Sequence, residues 1–408
     1  MRPVRVAFLT HEPFYPPSGG GSAEAVYLVE EFVRRGHEVH LFCPEFADSS
    51  SVAARFGITL HPFTRWAMGR YTARRNLKYL LYPSALAALV RRTVCAAQRQ
   101  YGADWRFDML VAQHTISAVA AGRLRRRLGV PVVLNYLDFL TGFMETWPAV
   151  FTRSGLVPAL NRFELNLPRR YDVEGVMTVS QPLADRLAAT GYPRERLRAI
   201  QYGYDATLFS PGEKPPGGPP VVVMHGSFDQ HHLGRIAREA VMQVVRRRPE
   251  VVFRFVGQVT EGLQRFATDV RTVLPQAQLE LTGFVPYAEV ARQLQGASVG
   301  IVPYEESRGT HCAFVAKAVE YLGCGLPVVS TPLENLQAYF RGEPALRFSG
   351  FDGESFGAAI LEWLACPTEE RARAGRRASQ RVAAELDWRI IARNAVDFVE
   401  SRRRESRG

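Results

Sequence analysis

Lys317 and Glu320 are the two side chains whose types and spacing point most directly to chemistry. They lie three positions apart, so a helix would carry them on one face. There a cation could neutralise a diphosphate, and a carboxylate could accept hydrogen bonds from two neighbouring ribose hydroxyls. The same spacing also suits an ion pair on a solvated helix face, and spacing alone does not separate the two interpretations.

The stretch from Val299 to Thr331 would position these side chains, because it reads as strand, loop, helix, turn and strand. The apolar spacing predicts a helix that begins at Thr310, an acceptable N-cap, and continues to Leu322. A helix between parallel strands has its N-terminus at the carboxyl edge of the sheet, where such folds bind ligands. We therefore expect the backbone N–H groups from His311 to Ala313 to suit a phosphate.

The composition describes a globular chain of two domains with a basic surface. A length of 408 residues exceeds one ordinary domain, and a hydrophobic content of 47% supports sizeable cores. The net charge of +11 rests almost wholly on arginine and favours anionic partners such as nucleotide diphosphates, acidic glycans or anionic lipids. No helix-turn-helix or RNP-type motif is present, so nucleic acid is not an expected partner.

The five cysteines predict reduced thiols and a cytoplasmic location. They are odd in number and lack CxxC spacing, which is untypical of a disulfide framework. The first apolar run is too short for a secretory peptide. No apolar run approaches the ~18 residues that span a bilayer.

A glycine-rich loop near the N-terminus predicts a second ligand-binding edge. A strand over Val4–Thr10 precedes it, and a helix over Ala25–Arg35 follows. Glycines there would let backbone N–H groups approach an anion closely. The loop contains Gly19, Gly20 and Gly21. Glu24 stands where GxGxxG would need its third glycine, so a nicotinamide site is not indicated. A flexible turn in another α/β fold is the alternative.

His114 follows a predicted strand over Asp108–Ala112 and opens the next helix. An imidazole at a strand exit can donate or accept a hydrogen bond to a ligand, although a capping or merely exposed histidine is the ordinary alternative. Asp138 follows the next predicted strand, Val132–Tyr136, and would therefore face the same edge of the sheet.

The segment 63–101 interleaves aromatic residues with arginines. Such a mixture suits a membrane interface or a lipid-linked acceptor, and it equally suits core helices whose outer faces are basic. Further on, the Pro/Gly-rich stretch 211–220 marks a domain boundary before a strand over Val221–His225.

Three histidines near that strand, His225, His231 and His232, invite a metal interpretation. No cysteine lies beside them and their spacing is not that of a common metal site, so we predict no metal site there. No Asp-x-Asp occurs in the sequence.

Several motifs, in order along the chain, resemble those of family 4 retaining glycosyltransferases. The chain opening from Phe14-x-Pro16 to Gly36-His37-Glu38-Val39 is similar to the family's opening, and 385–398 resembles its closing Trp-bearing helix. The donor motif of the family is Glu, seven residues, Glu, a glycine turn and a PVV strand. Its second Glu matches Glu320, while its first Glu falls on Cys312. The Lys-x-x-Glu-Tyr-Leu form at 317–322 resembles the polysaccharide-building branch.

The resemblance implies an α/β GT-B fold with two Rossmann-like, doubly wound parallel-sheet domains and a cleft between them. It implies an acceptor-binding domain at 1–205, a nucleotide-sugar-binding domain at 206–384, and a helix at 385–408 that returns to the first domain, with a basic tail that we expect to be disordered.

The resemblance also assigns roles to residues. Glu320 would bind the ribose, His114 would lie near the transferred sugar, and Asp138 would face the acceptor. Ser227 replaces the family's diphosphate-binding Arg, so Arg235, a histidine or Lys317 would supply that charge. Glu305, Glu306 or His311 would stand in for the first Glu. The expected donor-binding set is Gly19, Gly20, Gly21, Gly226, Ser227, Arg235, Phe284, Val285, His311, Cys312, Ala313, Phe314, Lys317 and Glu320. The catalytic set is His114, Lys317 and Glu320.

The implied activity is transfer of a sugar, with retention, from a nucleotide-diphosphate sugar to a hydroxyl acceptor. The acceptor would be a glycan, a lipid-linked glycan or a natural product, reached at the inner face of an anionic membrane or in the cytoplasm. No cofactor and no metal are expected. Two alternatives remain: a GT-B epimerase or hydrolase of nucleotide sugars, and a catalytically silent protein that binds them.

Overall fold

A computed structural model of the chain describes residues 3–17, 20–64, 78–146, 155–212, 218–228 and 232–405. The chain forms two compact units. The first comprises residues 1–140, 158–201 and 389–408, and the second comprises residues 141–157 and 202–388. The C-terminal segment therefore belongs to the first unit, together with the N-terminal part of the chain.

The first unit is built on a parallel sheet of seven strands in the order β3-β2-β1-β4-β5-β6-β7. The order reverses between β1 and β4, which is the switch point at which such sheets bind ligands. The strands are β1 Arg5–Leu9, β2 Glu38–Pro44, β3 Thr59–Phe63, β4 Met109–Gln113, β5 Val132–Tyr136, β6 Gly175–Thr178 and β7 Leu197–Ala199.

A helix connects each strand of this sheet to the next strand in the chain, as in βαβ units. They are α1 Gly20–Arg34, α2 Ser49–Phe56, α3 Lys78–Tyr101, α4 His114–Leu128, α5 Leu156–Tyr171 and α6 Gln181–Ala188, with 3-10 turns at Leu140–Thr146 and Arg194–Arg196. The closing helix, α15 Trp388–Glu405, belongs to this unit from Arg389 onward. Arg35, next to the end of α1, reaches Asp397 and Glu400 over 2.6 and 3.0 Å.

The second unit repeats the architecture with six parallel strands in the order β10-β9-β8-β11-β12-β13. Its switch point lies between β8 and β11. The strands are β8 Val221–His225, β9 Val252–Val256, β10 Gln278–Leu281, β11 Val299–Val302, β12 Val328–Ser330 and β13 Leu346–Phe348. The helices are α7 Arg235–Arg247, α8 Glu261–Val273, α9 Tyr287–Gln295, α10 Arg308–Cys312, α11 Ala316–Gly323, α12 Glu334–Tyr339, α13 Gly353–Ala365 and α14 Thr368–Leu386.

Apolar, β-branched strand residues account for both sheets. Every residue of β4, β5 and β8 is buried, as expected for strands covered by helices on both faces. The prediction of two doubly wound parallel sheets is confirmed.

Three predicted elements are wrong in extent. The first helix begins at Gly20 rather than Ala25, because the chain turns into the helix directly after the loop. The strand predicted over Leu279–Val285 ends at Leu281, where a turn follows. The basic tail expected to be disordered is helical as far as Glu405, because α15 continues through it.

Helix α3 holds most of the described part of the basic, aromatic segment. Arg65, Trp66, Arg70, Tyr71, Arg74 and Arg75 lie outside the described residues. Tyr79–Tyr101 is long and apolar enough to cross a membrane by length and composition, and a third of its window is buried. The expectation that no apolar run approaches spanning length overlooked this window, because two arginines interrupt it. The core helix of a soluble protein meets the same criterion, so length and composition alone do not distinguish a membrane span from a core helix here.

Candidate active site

Glu320 lies on α11 with its carboxylate buried and held from two sides. The residue is 6% exposed. His225 Nε2 lies 2.5 Å from Oε2, and the Tyr287 hydroxyl donates to Oε1 over 2.8 Å. His225 ends β8 and Tyr287 begins α9, so both partners come from the carboxyl side of the sheet. The interpretation as a solvated ion pair is therefore wrong for this carboxylate.

Lys317 lies one turn before Glu320, beside the turn that follows β8. Its Nζ donates to the Tyr304 hydroxyl over 3.0 Å. A Cβ at Gly226, where φ is +99°, would lie 2.9 Å from Lys317 Cε and 3.2 Å from Nζ. Only a glycine in this left-handed turn leaves room for the ammonium. The structure thus brings Lys317, Gly226 and Ser227 together at the end of β8.

Arg235 is less suited than Lys317 to supply the positive charge that the family's diphosphate-binding Arg would provide. It stands at the start of α7 with an exposed side chain, and its guanidinium lies 3.3 Å from Glu239. Among the histidines named as alternatives, His225 contacts Glu320, His232 packs on the Tyr304 ring with centroids 4.6 Å apart, and His231 lies outside the described residues. Lys317 is therefore the cation placed beside Gly226.

The phosphate site predicted at His311 to Ala313 is wrong, because those amides are already bonded. His311 N donates to Ser307 O, and Ala313 N donates to Gly309 O. The single predicted helix is two helices: α10, capped by Ser307 rather than Thr310, and α11. Thr310 is instead the third residue of α10 and completes a capping box.

A carboxylate side chain of the protein already occupies the start of α10. The Glu145 carboxylate accepts a hydrogen bond from Arg308 N over 2.8 Å and pairs with the Arg308 guanidinium. The helix N-terminus that remains in the site is that of α11, which begins at Ala316 beside Lys317. Ala318 N donates to Val315 O over 3.0 Å, and the helix dipole places partial positive charge at this end of α11, next to Lys317 in the chain.

On the first unit, Gly21 lets a carboxylate and an imidazole approach α1 together. A Cβ at Gly21 would lie 2.7 Å from Glu12 Oε2 and 2.7 Å from His114 Nε2. The His11 ring packs edge-on against His114, with centroids 5.0 Å apart. Gly20 and Gly21 occupy the first turn of α1 rather than a loop, and Gly19 lies outside the described residues.

His114 holds an unusual backbone conformation. Its φ is +63°, a left-handed value that costs a non-glycine residue on the order of 1–3 kcal/mol. Its neighbours anchor it: the Gln113 amide donates to Gly21 O over 2.8 Å, and the Thr115 hydroxyl donates to Glu164. Strain of this kind concentrates at functional sites, which supports a ligand-contacting role for His114.

Glu24 is a buried carboxyl group that the sequence interpretation used only to exclude a nicotinamide motif. Its Oε2 accepts from Gln113 over 3.1 Å and from Asn135 over 2.8 Å. Burial, with a smaller contribution from the charge of the nearby Asp138, outweighs these two hydrogen bonds and raises the pKa of Glu24 to about 7. Asp138 thus lies at this edge, as expected. The sequence could have indicated that Glu24 is buried, because Glu24 lies four positions before the buried Leu28 and so on the same face of α1.

This raised pKa predicts a stability that falls with pH. Because the unfolded carboxyl titrates near its usual value and the folded one near 7, stability is full below pH 4.5 and is lost as pH rises through 7. Between pH 5 and pH 8, the free energy of unfolding of Glu24→Gln should rise by about 2.5 kcal/mol relative to that of the wild type. Urea unfolding at both pH values measures this, with Glu45→Gln, an exposed carboxylate, as control. An unchanged difference between the pH values would contradict the buried neutral carboxyl.

Two family models cover most of the chain. The model described as glycosyl transferase 4-like domain matches residues 19–203, and the model described as glycosyl transferases group 1 matches residues 219–366. The chain belongs to the family 4-like glycosyltransferases. WcaL of Escherichia coli (strain K12), a candidate colanic acid biosynthesis glycosyltransferase, is 22% identical over 91% of this chain and 95% of its own length.

Solved structures share the GT-B fold of this family 4-like glycosyltransferase. Sucrose-phosphate synthase of Thermosynechococcus elongatus superposes with a TM-score of 0.73 at 18% identity, covering 98% of each chain. HepE of Anabaena, in complex with UDP, superposes with a TM-score of 0.70 at 16% identity, covering 97% of this chain and 100% of its own. HepE has also been solved with UDP-glucose. The predicted α/β GT-B fold is confirmed.

Three further residues that were predicted to bind the donor are buried in the core of the second unit. Cys312 is fully buried at the end of α10, and Phe314 packs on Tyr339 with centroids 5.1 Å apart. Ala313 is buried, and its carbonyl accepts from Asn335 over 3.2 Å. These residues shape the link between α10 and α11.

Three residues were expected to stand in for the family's first Glu. Glu305 Oε1 accepts from Ile236 N over 2.9 Å and so caps α7. Glu306 is exposed and lies 3.5 Å from His311 Nε2. His311 Nδ1 also accepts from Glu334 N over 3.3 Å. Glu305 therefore serves as a helix cap, whereas the Glu306 carboxylate pairs with His311 and caps no helix.

Phe284 and Val285 occupy the turn after β10. The Phe284 side chain is 73% exposed and Val285 is half-buried. An exposed aromatic ring in a turn at the carboxyl edge is available to stack on a flat ligand group. In the described ranges, from residue 3 to residue 405 with their gaps, no three His, Cys, Asp or Glu side chains form a group suited to a metal ion.

Proposed function

We propose that this glycosyltransferase moves a hexosyl-type sugar, with retention, from a nucleotide-diphosphate sugar to a hydroxyl acceptor. The observation that carries the proposal is the pairing on α11 of a buried carboxylate, Glu320, with an ammonium, Lys317, at the switch point of the second sheet. These are the groups that a ribose and a diphosphate need. The UDP and UDP-glucose complexes of HepE, a structural neighbour, support a nucleotide-sugar donor.

In this proposal the protein acts mainly by stabilising the leaving diphosphate. The bond between the anomeric carbon and the diphosphate breaks, and negative charge develops on the phosphate beside Lys317 and the N-terminus of α11. A donor phosphate oxygen takes the proton of the acceptor hydroxyl on the same face of the sugar, and the acceptor oxygen forms the new bond. The chemistry therefore requires no protein base and is proposed to be metal-independent.

On the first unit, we assign His114 to the transferred sugar and Asp138 to the acceptor. His114 shares its edge of the sheet with Glu12 and with Asp138, whose charge acts on Glu24. An imidazole and carboxylates at one edge of a sheet can hydrogen-bond sugar hydroxyls from several directions. The similarity to WcaL supports polysaccharide biosynthesis as the setting of the reaction.

The proposed acceptor is lipid-linked, at the inner face of an anionic membrane, with the protein in the cytoplasm. Leu80 at the start of α3 is 74% exposed. One turn on, Ser84 accepts from Arg123 over 3.0 Å. Arg123 lines a cavity of about 430 Å³ together with Arg126, Arg127, Arg170 and Tyr171. Exposed apolar and basic groups side by side suit a lipid surface, and the five free cysteines suit a cytoplasm.

Charge reversal at this surface should release the protein from anionic vesicles. Arg123→Glu combined with Leu80→Ser should lower co-sedimentation with vesicles of phosphatidylglycerol and phosphatidylcholine by about tenfold, since each basic group contributes about 1 kcal/mol. Arg198→Glu combined with Tyr101→Ser, exposed elsewhere on the same unit, is the matched control. Equal binding of wild type and both variants would remove the membrane contact from the proposal.

One experiment separates the proposed transfer from the alternatives. UDP-, GDP- and ADP-sugars are screened by thermal shift, and each donor that binds is then incubated with and without hydroxyl acceptors. Transfer only with an acceptor, with the anomeric configuration of the product by NMR equal to that of the donor, is the expected result. Turnover without acceptor would indicate an epimerase or hydrolase, and binding without turnover would indicate a silent protein.

A further inference from the structure

Two contacts connect the end of β8 to α11. The Glu320 carboxylate meets the His225 ring, and one turn earlier the Lys317 ammonium lies over Gly226. The adjacent residues His225 and Gly226 thus contact Glu320 and Lys317, which lie three positions apart on α11. These two contacts fix the rotation of α11 about its axis and its position along that axis relative to β8. The hydroxyl of Tyr321 reinforces this connection by accepting from His225 N over 3.0 Å.

The two oxygens of Glu320 receive different donors from different elements. Tyr287 approaches Oε1 from α9, and His225 approaches Oε2 from β8. A carboxylate has about four acceptor positions, so one bond to each oxygen leaves each with capacity for another donor. The carboxyl plane is fixed by bonds at both ends, which is the preorganisation that bidentate recognition of two adjacent hydroxyls requires.

Both donors are themselves held in place. His225 is 6% exposed, and its ring packs edge-on against Tyr321 with centroids 5.0 Å apart. The Tyr287 ring packs against Phe209 with centroids also 5.0 Å apart. Neither side chain can swing away without losing a packed aromatic contact, so neither is a freely moving solvent-facing group.

We infer that His225 and Tyr287 are positioning residues that orient the Glu320 carboxylate and thereby set the preference of this chain for ribonucleotide over 2′-deoxyribonucleotide donors. The inference rests on the proposed nucleotide-sugar site. From the sequence, His225 was considered only as a metal ligand or as a source of positive charge, and Tyr287 was assigned no role. Their function follows from the two bonds that converge on Glu320.

The test measures selectivity rather than affinity alone. By calorimetry, the wild type should bind its preferred nucleoside diphosphate, chosen among UDP, GDP and ADP, about tenfold to a hundredfold more tightly than the 2′-deoxy form. His225→Leu with Tyr287→Phe should bring this ratio within about threefold of unity, because a misoriented carboxylate no longer meets both hydroxyls. Tyr287→Phe alone should fall between, and His225→Gln, which keeps a donor, should restore part of the ratio.

Matched controls exist in the first unit. His37→Leu removes an equally buried histidine–glutamate contact, at 2.9 Å from Glu400, and Tyr192→Phe removes a hydroxyl bond of 2.8 Å to Val173 O. Both should keep the wild-type ratio. A wild-type ratio retained in the double variant overturns the positioning role while leaving the proposed function intact. A wild type that binds none of the nucleotides overturns the proposed function itself, and the inference with it.

Discussion

Glu320→Gln is expected to weaken the binding of the preferred nucleoside diphosphate by about a hundredfold or more, because two charge-assisted hydrogen bonds to the ribose are lost or weakened. The substitution keeps the size of the side chain while it removes the charge. The amide nitrogen would also face a donor, either His225 Nε2 or the Tyr287 hydroxyl, where the carboxylate now accepts from both. The remaining side chain would therefore be misoriented as well as neutral.

Calorimetric titration measures the loss, and thermal unfolding checks that the second unit remains folded. Glu343→Gln is the matched control, because this carboxylate is also buried in the second unit, where it pairs with Arg381 at 3.3 Å. It should bind nucleotide like the wild type. Affinity that is unchanged in a folded Glu320→Gln protein would remove the ribose-binding role.

Lys317→Met is expected to lower kcat by about a hundredfold to a thousandfold, which is the usual effect of removing one group that stabilises developing charge. The ammonium lies beside Gly226 and is held by Tyr304, so it is already in place before charge develops. Methionine keeps much of the length and the apolar stem without the charge. The affinity for a nucleoside without phosphates should change little.

Arg235→Met is the matched control for that variant, because Arg235 is the alternative cation named from the sequence. Its exposed guanidinium is paired with Glu239, so its removal should change kcat by less than about threefold. Steady-state kinetics with saturating donor and acceptor compare the two variants. A larger loss of kcat in Arg235→Met than in Lys317→Met would instead assign the stabilisation of the diphosphate to Arg235 at the start of α7.

Much of the fold followed from the sequence, because buried parallel strands are short, β-branched and bounded by polar turns. The strands Val132–Tyr136 and Val221–His225 match their predictions residue for residue. The carboxyl edge of each sheet was also predicted correctly as the place where polar candidates gather, since the order of strands and helices determines it. Lys317 and Glu320 were correctly placed on one helix face.

The break between α10 and α11 could not be read from the apolar spacing, because that spacing continues through it. The capping box of Ser307 and Thr310 begins the helix earlier, and the bond from Asn335 to Ala313 O fixes the extended link. Phe314 fills a pocket against Tyr339 from that extended backbone. These are tertiary interactions, which override local helix propensity.

The partners of Glu320 were equally beyond sequence reasoning. His225 and Tyr287 lie 95 and 33 positions away along the chain. Spacing rules describe neighbours on one element, and they carry no information about which strand end meets which helix face. The assignment of Glu320 rested on the resemblance, and the structure adds the two residues that hold it.

A crystal structure of the chain with its preferred nucleoside diphosphate bound tests the central claim most directly. The account predicts ribose hydroxyls within about 3.2 Å of the Glu320 carboxylate and a phosphate oxygen within about 4 Å of Lys317 Nζ. A nucleotide bound elsewhere, with Glu320 still contacted only by His225 and Tyr287, would contradict it.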